Sequence, residues 1–251
     1  MKLKFLTIAA VMTAAALTSG SAYAEKVFKV GSTPTGSPFT FLDAKTNTIQ
    51  GVMVDIIDAI GKDDGFTAKI EPMQFSALIS SLTTKRIDII SAAMFATDER
   101  KKVISFSEPV YSYGEGLVVP KTDDKPYVSF ADMKGMTVGV QVGTAFVKPL
   151  QDSGMFKEIK LYDSTADLMA DINAGRIQAG FLDFPIAAYA IGQGKFPKLK
   201  LDRSYKPVVV NGVAIATRKD DTALLAEINT SLAKLKANGT IPAILKKWGL
   251  D

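Results

Sequence analysis

From residue 26 onward, short apolar runs alternate with amphipathic stretches at the spacing expected of strand–helix units. Residues 27–30 alternate as a strand should and stop at Gly31. Ser32-Thr-Pro-Thr-Gly-Ser-Pro38 is a loop by composition, and 46–51 is a second turn region. Val52, Ile56, Ile57 and Ile60 recur at helical spacing, which predicts a helix over 52–60 ended by Gly61. Residues 66–70 read as a strand, 76–84 as a helix with Leu78, Ile79 and Leu82 inward, and 87–90 as a buried strand. The alternation predicts an α/β architecture on parallel sheet.

At Pro109-Val-Tyr-Ser-Tyr-Gly-Glu-Gly116, glycines and tyrosines replace the regular period, which suits a crossing segment. A second α/β series follows, with strands over 117–119, 136–140, 159–162 and 177–182. Its helices lie near Phe130, after a cap at Thr144, over 167–174 and over 185–191. Lys206-Pro-Val-Val-Val-Asn-Gly212 is a second candidate crossing, after which 213–217 restarts a strand. Helices over 222–237 and 241–248 close the chain. Leu78, Arg86 and Ile87 recur ninety residues on as Leu168, Arg176 and Ile177. The repeat predicts two similar lobes with a cleft between them, beyond the carboxyl ends of their strands.

Composition narrows the chemistry. The 251 residues contain neither cysteine nor histidine. Disulfides, Ser-His-Asp and Cys-His catalysis, and nearly every zinc or redox-metal site are thereby excluded, and no cofactor or metal is expected. A basic start, an apolar run from Phe5 to about Thr18, and Ala22-x-Ala24 predict a signal peptide over 1–24, hence an exported, periplasmic protein. The net charge of +4 falls to about +2 once Lys2 and Lys4 are removed. No basic run with interleaved aromatics is present, so nucleic acid is not an expected partner.

The stretch Ser91-Ala-Ala-Met-Phe-Ala-Thr-Asp-Glu-Arg100 gathers the candidate groups of the first half. An apolar strand that stops at small residues, Ala93 the last of them, brings its end close to something. Thr97 reads as an N-cap, placing Arg100 in the first turn of a helix, where the dipole disfavours a cation. Arg100 either pairs with Glu99 at the surface or grips an anion with its planar fork. Asp183 ends an apolar strand, and either caps the helix at Pro185 or accepts an ammonium. Val138-Gly-Val-Gln-Val-Gly-Thr144 offers backbone amides to an anion or is an ordinary capped helix start. Phe75 and Phe95 are core residues or an aromatic pair facing the cleft. Asp63-Asp64, Asp123-Asp124 and Asp220-Asp221 are turn and cap residues rather than acid–base pairs.

Four stretches carry a resemblance. They are Ser37-Pro-Phe-Thr-Phe-Leu-Asp43 with Gly51-Val-Met-Val-Asp55; Phe75-Ser-Ala-Leu-Ile-Ser-Ser-Leu82 through Ile87-Asp88; Thr97-Asp-Glu-Arg-Lys-Lys102 with Phe106-Ser-Glu-Pro109; and Asn238-Gly-Thr240 with Lys246-Lys-Trp248. In this order they resemble the periplasmic solute-binding proteins of family 3, the polar amino-acid type of ABC transporter. The resemblance implies a two-lobed periplasmic-binding-protein (type II) fold hinged by two crossing segments. Lobe 1 would comprise 26–110 and 212–251, and lobe 2 would comprise 115–206. It further implies that Arg100 grips the α-carboxylate of a zwitterionic ligand and Asp183 its α-ammonium. Thr144 and Ala145 would complete the carboxylate site, Phe75 would stack on the ligand, and Ala93 and Phe95 would line it.

The departures from the family pattern shape the expected ligand. Relatives for basic amino acids carry an acid where this chain has Thr33, and usually an aromatic at Gly36. Many carry serine at the position of Phe95. An amino acid without a cationic side chain, or a compact cyclic zwitterion as in the similar ectoine-binding members, is the expected ligand. The partners implied are permease subunits of an ABC importer, with the binding protein a monomer. The rival reading is an enzyme resembling the periplasmic cyclohexadienyl dehydratases, which would need a cleft acid or base beyond Asp183.

Overall fold

The computed structural model describes residues 26–250, so the expected signal peptide over 1–24 lies outside the described residues. In chain order the first half runs β1 (Lys26–Ser32), β2 (Thr35–Gly36), β3 (Thr40–Asp43), β4 (Thr48–Gln50), α1 (Val52–Asp64) and β5 (Phe66–Pro72). Next come α2 (Leu78–Thr83), β6 (Ile89–Ile90), α3 (Asp98–Lys101) and β7 (Ile104–Phe106). A long strand β8 (Tyr111–Pro120) leads to β9 (Thr137–Gln141), α4 (Val147–Ser153), β10 (Glu158–Tyr162) and α5 (Thr165–Asn173). After β11 (Ala179–Asp183), α6 (Phe184–Gly192) and β12 (Leu199–Leu201), the chain returns through β13 (Val210–Val213) and β14 (Ala216–Arg218). Helices α7 (Thr222–Ala237) and α8 (Thr240–Lys247) follow, and single 3₁₀ turns occupy Phe75–Ala77 and Phe130–Met133.

Two five-strand rows form, ordered β5-β1-β6-β14-β7 and β10-β9-β11-β8-β12, with β13 added along β8. In each, the second strand (β1 or β9) is flanked by two parallel neighbours, and antiparallel strands complete the sheet. The repeat in the sequence has a physical basis in this arrangement. A Cβ on Gly31 of β1 would lie 2.5 Å from Ile87 Cδ1 and 2.9 Å from Leu78 Cδ2. On Gly139 of β9 it would lie 2.7 Å from Ile177 Cδ1 and 3.2 Å from Leu168 Cγ. In each half a helix leucine and an isoleucine from the connection that follows it thus pack onto a bare glycine of the second strand.

Helix α1 buries Val52, Met53, Ile56, Ile57 and Ile60 completely, each such side chain contributing about 1.5–3 kcal/mol. It does not stop at Gly61. The chain continues helical to Asp64 and is ended by Gly65 in the left-handed region (φ 73°). Gly61 is required for another reason: a Cβ there would lie 2.5 Å from the Phe66 carbonyl oxygen. The glycine-tyrosine stretch, expected to be irregular, is instead the regular start of β8. It pairs antiparallel with β13, Tyr113 opposite Asn211 and Gly114 opposite Val210. Glycine serves close packing here, since a Cβ on Gly114 would meet Pro207 at 2.5 Å and one on Gly212 would meet Pro109 at 2.6 Å. Buried Glu115 ties the ribbon shut, accepting from Tyr205 Oη at 2.8 Å and the amides of Val208 and Val209 at 2.6 and 2.9 Å. Among the described residues no helix is long and apolar enough to cross a membrane.

Candidate functional site

The small residues after β6 let the chain dive between β1 and α1. Ser91 Oγ donates to the Met53 carbonyl at 2.7 Å, and Ser32 Oγ donates to the Ser91 carbonyl at 2.6 Å. Ala92 and Met94 are buried, Ala93 is half-buried, and Phe95 is 2 % exposed. Thr97 then caps α3, its hydroxyl accepting from the Arg100 amide at 3.4 Å. Because α3 is a single turn, Arg100 lies in its last turn as much as in its first, and the dipole conflict expected of it disappears. Arg100 does not pair with Glu99, whose carboxylate goes to Lys102 at 2.7 Å. One guanidinium nitrogen donates to the Phe95 carbonyl at 2.8 Å and the other to the Gly143 carbonyl at 2.9 Å, on the second sheet's side. The guanidinium also lies over the Phe75 ring, 5.5 Å from its centroid.

Asp183 stands at the end of β11 and directly before α6. It occupies the N-cap position without making a side-chain cap bond. Its Oδ1 instead accepts from Tyr113 Oη at 2.7 Å. Tyr113 stacks on Phe39, with centroids 5.4 Å apart and planes at 27°, and leans on Phe95 at 4.9 Å. Phe95 also meets Phe146 edge-on at 5.7 Å. The Phe75–Phe95 pair is therefore divided: Phe95 belongs to this aromatic cluster, and Phe75 flanks Arg100.

Thr144 does not cap a helix. Helix α4 starts three residues later, and the Thr144 hydroxyl and amide both turn back to the Gln141 carbonyl, at 2.8 and 3.3 Å. Thr144 and Ala145 are half-buried beside Gly143, the residue that meets Arg100. A Cβ at Gly143 (φ +79°) would lie 3.1 Å from Ser76 Cα, so the two halves touch here. They touch again where Thr165 Oγ1 donates to the Thr35 carbonyl at 2.7 Å. At Gly36 an added Cβ would be 3.4 Å from Ile186 Cδ1. Gly36, on β2, therefore packs close to α6.

Burial dominates the electrostatics. It pushes the Asp183 carboxyl up to about 6, against the lowering effects of the Tyr113 hydrogen bond and the Arg100 charge. Burial draws Arg100 down to about 10, opposed first by the negative charge of Asp183. The Tyr113 hydroxyl is raised well above its ordinary range, by burial and then by Asp183. Two opposite charges, one on each side, thus influence each other without forming an ion pair.

The sequence reading expects Arg100, Asp183, Phe75, Phe95, Ala93, Thr144 and Ala145 at one cleft; in the structure Arg100 meets Phe75, the Phe95 carbonyl and Gly143, and Asp183 is linked to Phe95 through Tyr113. It overlooked Tyr113 and Glu115. A period of two along Tyr111, Tyr113 and Glu115 was the available signal, since alternate strand residues share a face.

Residues 28–251 match the family described as bacterial extracellular solute-binding proteins, family 3. ABC transporter arginine-binding protein 1 of Escherichia coli (strain K12) is 32% identical over 247 residues, 98% of this chain and 99% of that protein. The L-cystine-binding protein TcyJ of the same strain is 29% identical, over 87% of this chain and 81% of that one. A solved ancestral arginine-binding protein bound to glutamine superposes with a TM-score of 0.83 at 30% identity, covering 91% of this chain and 100% of that one. The chain belongs to family 3 of the bacterial extracellular solute-binding proteins and has their two-lobed, type II periplasmic-binding-protein fold. It is a binding protein rather than an enzyme, as these relatives are, and the dehydratase reading falls away.

Proposed function

We propose that the chain is the binding component of an amino-acid ABC importer and captures a zwitterionic amino acid between Arg100 and Asp183. The observation that carries this reading is the Arg100 guanidinium, which reaches across to the Gly143 carbonyl, within electrostatic range of the buried Asp183 carboxylate. An α-carboxylate would take the Arg100 fork, with Phe75 behind it and Thr144 and Ala145 beside it. An α-ammonium would meet Asp183, with Ala93 and Phe95 along the wall. Lobe 1 would be 26–110 with 212–251, lobe 2 would be 115–206, and the β8–β13 ribbon would be the hinge. A ligand that binds both lobes favours the closed state by its differential affinity.

Several relatives are named for arginine, but this chain has no carboxylate in the first loop to neutralise a guanidinium. Thr33 there is buried and shares a 2.7 Å hydrogen bond with Thr40. The ligand in this reading has a neutral side chain or is a compact cyclic zwitterion. The protein would work as a monomer in the periplasm, delivered by residues 1–24, and would present its closed face to the permease. A thermal-shift panel of the proteinogenic L-amino acids, ectoine and glycine betaine tests it, because a ligand at a hundred times its Kd adds about 2.7 kcal/mol of stability. Neutral zwitterions should give the largest shifts. Shifts confined to arginine and lysine would refute the pocket chemistry.

A further inference from the structure

We propose that Tyr113 is a positioning residue for ligand capture, whose hydroxyl holds the Asp183 carboxylate oriented as an acceptor for the ligand's ammonium. This rests on the Arg100–Asp183 clamp above and adds a residue to it that touches neither end of the ligand's charge. In the β8–β11 pair Asp183 stands directly opposite Glu115. Tyr113, two residues earlier on β8, is the diagonal neighbour on the same face, within reach for a long side chain. Its single proton goes to Asp183 Oδ1 at 2.7 Å, which leaves the second carboxylate oxygen for an ammonium.

The ring cannot swing away from that task. It is 8 % exposed, stacked on Phe39 and wedged against Phe95, both from the first half of the chain. The charged and titratable groups facing Asp183 are Tyr113, Arg100 and Glu115. Glu115 is a like charge, and its oxygens are engaged by Tyr205, Val208 and Val209. Arg100 donates to two carbonyls rather than to Asp183. Tyr113 is thus the one side chain among the described residues that donates to Asp183. Its hydrogen bond is the strongest influence opposing burial, which otherwise favours the neutral acid. Without the hydroxyl, Asp183 would keep its proton nearer neutral pH and be a poor partner for an ammonium.

Tyr113→Phe keeps the ring and its packing and removes only the donor. Carboxyl-carbon NMR titration of the purified chain, with Asp183→Asn to identify the resonance, should show the Asp183 midpoint moving up by about one pH unit in Tyr113→Phe. Calorimetry from about pH 5 to pH 8, with the tightest binder among the proteinogenic L-amino acids as probe, reads the consequence. Tyr113→Phe should bind it about tenfold more weakly at neutral pH, with the acid limb displaced upward, the size expected of a hydrogen bond to a charged group. In an Asp183→Asn background the same substitution should have no further effect on affinity. An unchanged midpoint, or an undiminished effect in that background, overturns the role assigned to Tyr113. Wild-type binding by Asp183→Asn, or no binding across the amino acids and ectoine together, overturns the clamp instead, and the titration still judges Tyr113.

Discussion

Withdrawing the Arg100 guanidinium from water is unfavourable, and its pKa falls to about 10 in consequence. Two carbonyls and the Phe75 face offset part of that cost, and a bound carboxylate would offset more. Arg100→Ala should therefore weaken binding of the selected amino acid by about 2–5 kcal/mol in calorimetry. Arg100→Lys should recover only part, because an ammonium cannot make the two parallel bonds. Binding by Arg100→Ala within a few-fold of wild type would remove the carboxylate from this end of the cleft. Asp183 sets the pH dependence. Its folded value, about 6, lies above the ordinary 3.8, so between these values the folded chain holds a proton that the unfolded chain has released. The ligand-free protein is then stabilised by this group at low pH and loses that stability as pH rises through about 6. Capture of an ammonium needs the ionised carboxylate and runs the other way. The ligand-induced rise in Tm should accordingly grow between pH 5 and 7, and a rise independent of pH would show that Asp183 does not receive the ammonium.

At the scale of elements, the sequence repeat becomes a matter of contact between a strand glycine and the helix and connection packed on it. Gly31→Ala places a methyl group 2.5 Å from Ile87 Cδ1, and should lower stability by about 1–3 kcal/mol. Ile87→Val alone should cost about 0.5–1.5 kcal/mol. Since valine lacks that Cδ1, denaturant unfolding of the double variant should show a cost clearly below the sum. Strict additivity would mean that the two do not meet. The elements legible in the chain were those with their own apolar period: α1, β5, α5, α7 and the strands ending at Ile90 and Asp183. The β2–β3–β4 meander, β7 and β12 were not legible, because strands of two to four residues carry too few positions to establish alternation. At the site, the charged ends were legible because Arg100 and Asp183 follow buried strands. Tyr113 was hidden by its glycine neighbours, which read as a break but serve the passage of Pro207.

For the whole molecule, the question is what holds the halves together when the cleft is shut. Part of the contact involves ligand-binding candidates, as in the Arg100 bond to Gly143. The bond from Thr165 to the Thr35 carbonyl does not, and it is sited to act on closure alone. Thr165 opens helix α5, whose cap is made by Ser164, so its own hydroxyl is free to reach across. It is 3 % exposed, so opening must hydrate both partners, and a hydrogen bond of this kind contributes about 0.5–1.5 kcal/mol net. Thr165→Val preserves the shape and the Ser164 cap and removes only the donor. The closed state should lose population in the ligand-free protein, seen as a larger radius of gyration by small-angle X-ray scattering. Because affinity scales with the competent fraction, binding should weaken by about two- to tenfold through faster dissociation. The effect should be the same for every amino acid that binds, since Thr165 reads closure and not side chain. A loss confined to one ligand would place Thr165 in the pocket, and scattering and affinity both equal to wild type would show that closure does not depend on this bond.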